Sequence, residues 1–465
     1  MYEAEKVIST RKKDKPMFLA WLMPGLEIKR WLFLMFLGTF LIIIGLTTIL
    51  NIHPFAQILL LVKKLAEVSP SILTGSIMLA AGTGVFLMAW RKINKSVIAA
   101  IKPDARLLEH LYVRKVLNKG PKIVAIGGGT GLSTILKGLK HITGNITAVV
   151  TVGDDGGSSG RLREEMGVLP PGDIRNCIAA LASEEDLVTK LFQYRFKNGN
   201  GLEGHSFGNL FLTALCSITG DMVSAVKESS TVLSIRGRVL PSTLDDMKLY
   251  AEMEDGQIIY GESHIPEAGG RIVRLKATPE RLKALDEVII ALQEADIIIM
   301  GPGSLYTSII PNILIDGITE TISKSDARKI YICNIMTQPG ETDDYTVSDH
   351  LEAILKHSKH ENIIDTVLVN DSLPKNLALK YKAADSYPVA FDSEKVKKLG
   401  IKVLTKRLIE ENSEGLVRHS PERIARIIFE WYKSTHGKSR KNGNGNGKVI
   451  DLDEKVESFE NKLLV

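Results

Sequence analysis

Two long runs without a charged residue, Trp31 to Ile52 and Ser69 to Trp90, stand apart from everything that follows them. Each is long enough to cross a hydrocarbon layer of about 30 Å as a helix. The first begins too late and runs too long for a cleaved secretory leader. Arg11, Lys12, Lys13, Lys15, Lys29 and Arg30 precede the pair, and Arg91, Lys92 and Lys95 follow it. The joining segment, His53 to Val68, carries only Lys63, Lys64 and Glu67. Basic flanks outside the pair place both ends on the cytoplasmic side, with Trp31 and Trp90 at the interface. The pattern therefore predicts a basic cytoplasmic tail over 1–30 and a two-span transmembrane hairpin over 31–92. An amphipathic helical connector follows over 93–120, with Leu107, Leu108, Leu111, Val113 and Leu117 among charged residues.

From 121 onward the pattern changes. Short Ile/Val-rich runs at 122–126, 146–152, 296–300, 329–333 and 364–369 alternate with helix-like stretches. Runs of this kind without polar alternation are strands covered on both faces. They predict an α/β domain over 121–437, a doubly wound, mostly parallel Rossmann-like sheet. Residues 230–239, 257–260 and 271–275 alternate instead, with turns at Glu254-Asp255-Gly256 and Gly269-Gly270, and predict an antiparallel insertion. The segment 438–465 opens with GKSRKNGNGNGK-type composition and reads as a flexible polar tail.

Charge adds little to this picture. The formal net charge of +5 is modest, and many basic residues lie in the first hundred positions. It reads as a membrane-orientation signal and not as a nucleic-acid footprint. Cys177, Cys216 and Cys333 are far apart, sit among apolar neighbours and match no metal spacing. They read as reduced thiols of a cytosolic domain.

The candidate chemistry begins where the first strand of the domain ends. Gly127, Gly128, Gly129 and Gly131, with Thr130 between them, clear the side chains from a strand-to-helix turn. Free N–H groups and the dipole at the start of that helix suit an anion. The second strand ends on Gly153-Asp154-Asp155-Gly156-Gly157, which puts two carboxylates on the same rim. Asp154 and Asp155 suit ribose hydroxyls or a Mg2+ ion held against a diphosphate. The loop lacks the Gly-Lys-Ser/Thr of a Walker A motif and the G-x-G-x-x-G spacing. A third strand ends on Gly301-Pro302-Gly303-Ser304, suited to a second phosphate or a sugar. Asn334 takes the equivalent position after the next strand, with the loop 337–342 beyond it. Ser158 and Arg163 follow the carboxylate pair, and Asn209 in HSFGN offers donor and acceptor together. Ser206 in the same motif also reads as a plain helix N-cap. No nucleophile elbow is present, and nothing in the sequence fixes a base beside a nucleophile, although Ser206, His205 and Asp154 contain the residue types. Arg418 stands before a helix that Ser420 and Pro421 should start, where a guanidinium can grip a diphosphate. Phosphorylation of Ser420 would compete for that cation.

Six stretches, GGGTGLST, TVGDDGGSSGRLR, LPPGDIRNCIAALA, HSFGNLFLTAL, GPGSLYTSIIPN and CNIMTQPGET, occur in this order between Pro121 and Gly437. Together they resemble the motifs of the YvcK-type gluconeogenesis factors, relatives of the 2-phospho-L-lactate transferases. The late segment around Arg418 and His419 resembles a motif of the same family. The resemblance implies a protein that binds UDP-N-acetylglucosamine and supports cell-wall synthesis, cell shape and growth on gluconeogenic carbon. It also implies cell-wall regulatory proteins and further copies of the chain as partners. GGSSGRLR after the aspartates departs from the stretch associated with the transferases. A Mg-dependent phosphotransferase and an NAD-binding protein stand as alternatives.

Overall fold

Ile123–Gly127 (β1) is buried along its whole length. Val124 and Ile126 join one apolar layer, Ile123 and Ala125 the other. A strand with both faces apolar belongs in the middle of a covered sheet, and that is its place. The computed structural model describes residues 117–182, 185–372, 385–411 and 417–439, with the helical positions 60 and 64. The tail 1–30, the hairpin 31–92, the connector as far as 116 and the tail beyond 439 lie outside the described residues. The described residues from 117 onward belong to one compact unit.

After β1 come Gly129–Leu139 (α1), Ile146–Val150 (β2), Gly157–Met166 (α2), Gly172–Leu181 (α3) and Glu185–Gln193 (α4). Phe207–Thr219 (α5), Met222–Val232 (α6) and Arg238–Pro241 (β3) complete the first half. Lys248–Met253 (β4), Ile258–Tyr260 (β5) and Ile272–Thr278 (β6) form a separate antiparallel sheet in the order β5-β4-β6. Ile297–Met300 (β7), Arg328–Ile332 (β8), Thr366–Asn370 (β9) and Lys402–Lys406 (β10) follow. Ile409–Glu411 (β11) and Val417–His419 (β12) pair antiparallel before the last helix, Pro421–Ser439 (α7).

The main sheet has seven parallel strands in the order β10-β9-β8-β7-β1-β2-β3. The chain runs outward from β1 to β3, returns to β7 on the other side of β1, and runs outward again. The strand order therefore reverses between β1 and β7. Loops leaving the carboxyl ends of those strands diverge there and open a crevice for a ligand.

The doubly wound sheet expected from the sequence is present, and one expectation is corrected. The stretch 230–239 is not part of the antiparallel insertion. Asp221 caps α6, accepting from the Ser224 N–H at 2.9 Å, and Met222, Ala225, Val226 and Ser229 bury one helical face. That helix absorbs Ser230 to Val232, and Val239 lies in β3, the parallel edge strand. The partner of β5 and β6 is β4, whose burial alternates strictly.

α7 begins at Pro421, as the Ser-Pro pair predicts. It packs on α1 so closely that a Cβ on Gly138 would stand 2.0 Å from the Pro421 carbonyl oxygen. Ser420 is 6% exposed, which removes its hydroxyl from easy reach of a kinase in this conformation. Among the described residues no single helix is long and apolar enough to cross a membrane.

Candidate functional site

Gly128 caps α1 in extended conformation, and Gly129 follows with φ +61, a left-handed conformation that suits glycine. The Ser133 and Thr134 hydroxyls turn back to donate to the Thr130 carbonyl at 2.9 and 2.7 Å. They stabilise the first turn. Gly131 meets the second glycine turn directly, since its Cβ would lie 2.4 Å from the Pro302 oxygen and 2.9 Å from the Gly303 Cα. A Cβ on Gly303 would in turn approach the Gly128 oxygen at 3.5 Å. The two turns thus lean on each other at the crevice between β1 and β7. Gly131→Ala should force them apart and destabilise the domain by about 1–3 kcal/mol, the usual range for overpacking. A shift in the chemical denaturation midpoint would measure it, and an unchanged midpoint would contradict this packing.

An anion stands at the helix N-terminus in this crevice. A Cβ on Gly128 would lie 2.5 Å from Asp173 Oδ2, and burial raises the Asp173 pKa to about 6, with the Asp154 charge adding to the rise. The π-helical turn Leu305–Ile309 after the second glycine loop has the same arrangement. Glu341 accepts from the Tyr306 N–H at 3.2 Å and from the Thr307 hydroxyl at 3.3 Å, and burial pushes its pKa up to about 7. A half-buried carboxylate, Asp173, and a buried one, Glu341, therefore stand where phosphates stand in a simple glycine-loop site.

Asp154 and Asp155, adjacent in sequence, do different work. Asp155 accepts from the Glu262 and Ser263 backbone N–H groups at 2.8 and 2.9 Å and so ties the end of β2 to the antiparallel insertion. Asp154 uses Oδ1 for the Gly156 N–H at 3.0 Å, and its Oδ2 lies beside Gly172. Glu262 faces this group. Burial, then Asp154, Asp155, Glu341 and Asp173 raise its pKa to about 8. Arg163 does not face the crevice as a free cation. Its guanidinium is engaged by Asp246, by the Met247 carbonyl at 2.6 Å and by the Asp154 carbonyl at 3.5 Å.

The HSFGN segment closes the next part of the rim. Ser206 is the N-cap of α5, as its position suggested, accepting from the Asn209 N–H at 3.3 Å. Arg175 donates to the same hydroxyl at 2.5 Å. Asn209 is buried and donates through Nδ2 to Ser158 and Ser159 at 3.1 and 3.4 Å, while its Oδ1 has no protein partner. On the other side, Gln338 links two expected residues. It donates to Ser304 Oγ at 2.7 Å and accepts from Asn334 Nδ2 at 3.1 Å. Arg418 lies on β12 opposite Glu410, and its neighbour His419 hydrogen-bonds the Cys333 backbone at the carboxyl end of β8. The Arg418 side chain is outside what the structure describes.

A divalent cation fits this donor set in one way. Asp155 has both oxygens committed, so Asp154 and Asp173 are the carboxylates that would hold it. Among the described residues no three carboxylate, histidine or cysteine groups converge as a metal site. That agrees with Mg2+ practice, in which one or two carboxylates are completed by ligand phosphates and water. Such an ion would supply the positive charge that the crowded carboxylates lack.

Asp173, Arg175, Glu262, Glu341 and Gln338 were not singled out from sequence. Asp173 and Arg175 sit in PPGDIRN, Gln338 and Glu341 in TQPGET, stretches whose prolines and glycines mark rim loops. Glu262 has no local signal, because only the fold of the insertion brings it to β2. A groove of about 530 Å³ lined by Lys283, Asp286, Asp316, Glu320, Lys324 and Asp326 lies at the opposite, amino edge of β7 and β8.

A doubly wound parallel sheet with glycine turns meeting at its switch point defines a Rossmann-like α/β class of protein. Residues 123–409 match the family model of 2-phospho-L-lactate transferase CofD. The gluconeogenesis factor of Bacillus subtilis is 50% identical over 318 residues, 68% of this chain and all of that one. A relative from Nostoc sp. is 49% identical over 423 residues, covering 90% of this chain and 93% of its own. A crystal structure of a Bacillus halodurans protein superposes with a TM-score of 0.65 at 49% identity, over 67% of this chain and 99% of that one. The chain belongs to the CofD family and, within it, stands with the gluconeogenesis factors.

Proposed function

We propose that this chain is a nucleotide-sugar sensor. It binds UDP-N-acetylglucosamine in the crevice between β1 and β7, and supports cell-wall synthesis and cell shape on gluconeogenic carbon. The observation that carries the reading is the direct contact of Gly131 with Pro302 and Gly303 at the point where the strand order reverses. Asp154 and Asp173, with a divalent cation, face the diphosphate. Asn209, Ser304 and Asn334 offer amide and hydroxyl groups to the sugar and base, and Arg418 adds a cation from β12. Residues 31–92 tether the domain to the membrane with both ends cytoplasmic, close to cell-wall regulatory partners. Engineered cysteines near residues 10 and 100 should then resist an impermeant thiol reagent in intact cells. Labelling of either from outside would exclude this topology.

The ligand reading is tested by calorimetry of the full-length protein with UDP-N-acetylglucosamine, GDP and NAD, each with and without Mg2+. Heat of binding with the UDP-sugar in Mg2+ is expected. Binding of NAD alone would replace this reading with a dinucleotide one. A Mg-dependent phosphotransferase is the second reading, favoured by the family's transferase members and by the carboxylates at the crevice.

A further inference from the structure

Ser158 lies near the start of α2, and its hydroxyl is 3.0 Å from Nδ1 of His205, a residue 47 positions later. Both are buried, at 5% and 3% exposure. Asn209 Nδ2 donates to the same hydroxyl at 3.1 Å, so one Ser158 lone pair is engaged. In the Nε2–H tautomer of the neutral ring, Ser158 donates its proton to His205 Nδ1. Burial and the nearby Arg161 guanidinium both lower the His205 pKa, which keeps the ring neutral at physiological pH. The pair is continuous with the crevice. Asn209 also holds Ser159, and Ser159 Oγ and Asp154 Oδ2 both crowd Gly172, next to Asp173 at the glycine loop.

We propose that Ser158 is a nucleophile, with His205 as its base, that accepts the nucleotidyl group from the phosphoanhydride of the bound nucleotide-sugar. The Ser158 Oγ–Pα bond forms as the bond from Pα to the anhydride oxygen breaks. The sugar 1-phosphate leaves with the electron pair, and the Ser158 proton passes to His205 Nδ1. The N-terminus of α2 favours the anionic product. Asn209 positions Ser158. The product is a protein that records exposure to its ligand as a nucleotidylated serine, a phosphodiester. The identity of the donor rests on the nucleotide-sugar reading, whereas the dyad does not.

The test treats the full-length protein with a small fluorophosphonate, and separately with UDP-N-acetylglucosamine and Mg2+. Adducts are mapped by mass spectrometry. The fluorophosphonate should label Ser158, with the rate falling about 100-fold or more in His205→Ala, the usual contribution of a positioned base. His205→Asn, which keeps a hydrogen-bonding group but takes no proton, should be equally slow. UDP-N-acetylglucosamine should leave a phosphorus-containing adduct on Ser158. Labelling that ignores His205, or no label and no adduct in a protein that binds the UDP-sugar, overturns the proposal and leaves the binding reading intact. His205-dependent labelling in a protein that gives no heat with the UDP-sugar supports the dyad and sinks the nucleotide-sugar reading.

Discussion

Asp155→Ala is expected to lower the stability of the domain by about 3 kcal/mol, the range for losing charge-assisted hydrogen bonds. Its two oxygens receive the Glu262 and Ser263 N–H groups and so link the end of β2 to that turn. Removing the carboxylate leaves both donors without partners and frees Glu262. Asp154→Ala should behave differently. It gives up one bond, to the Gly156 N–H, and relieves charge crowding around Asp173 and Glu262. Its stability should stay near wild type while ligand binding weakens roughly tenfold or more. Urea unfolding and calorimetry on both variants separate the roles. Equal stability losses in the two would contradict the division of labour between these neighbours.

The second large effect is a fall in stability as pH rises. Asp173, Glu341 and Glu262 have pKa values raised to about 6, about 7 and about 8. Each is above its unfolded value, so the folded state binds more protons and is favoured at low pH. That contribution is fully present below about pH 4 and is lost stepwise as the pH passes 6, 7 and 8. Each tenfold change in proton affinity corresponds to about 1.4 kcal/mol, an upper bound for partly solvated groups. The ligand-free protein should therefore melt several degrees lower at pH 8.5 than at pH 6. Glu262→Gln should remove the largest part of the difference, and Mg2+ should reduce it by neutralising the same crowd. A melting temperature that rises over this interval in the wild type, unaltered by Glu262→Gln, would exclude the buried acidic rim.

The central strands were legible because burial on both faces leaves a simple mark, an unbroken Ile/Val run ending in glycine. The switch point was not legible, since the pairing of β1 with β7 joins runs that are separated by the whole antiparallel insertion. The division between Asp154 and Asp155 was not legible. Which of two adjacent carboxylates is tied down depends on the turn at Glu262 and Ser263, which arrives from the insertion more than a hundred positions away. The same holds for His205 and Ser158. Ser206 advertises itself as a helix cap by its neighbours, whereas the approach of His205 to Ser158 needs α2 and α5 to be packed. The 230–239 segment misled because Thr231, Val232 and Val239 have strand-like chemistry, yet a capped helix claims the first part.

The most direct test of the account is where a ligand attaches. A photoreactive 5-azido analogue of UDP-N-acetylglucosamine, irradiated with the full-length protein in Mg2+, should cross-link to the loops around 128–131, 301–304 and 334–338. Unlabelled UDP-N-acetylglucosamine should compete the cross-link away. Competable cross-links confined to the amino-edge groove of Lys283, Asp316 and Lys324, with none on those loops, would contradict it.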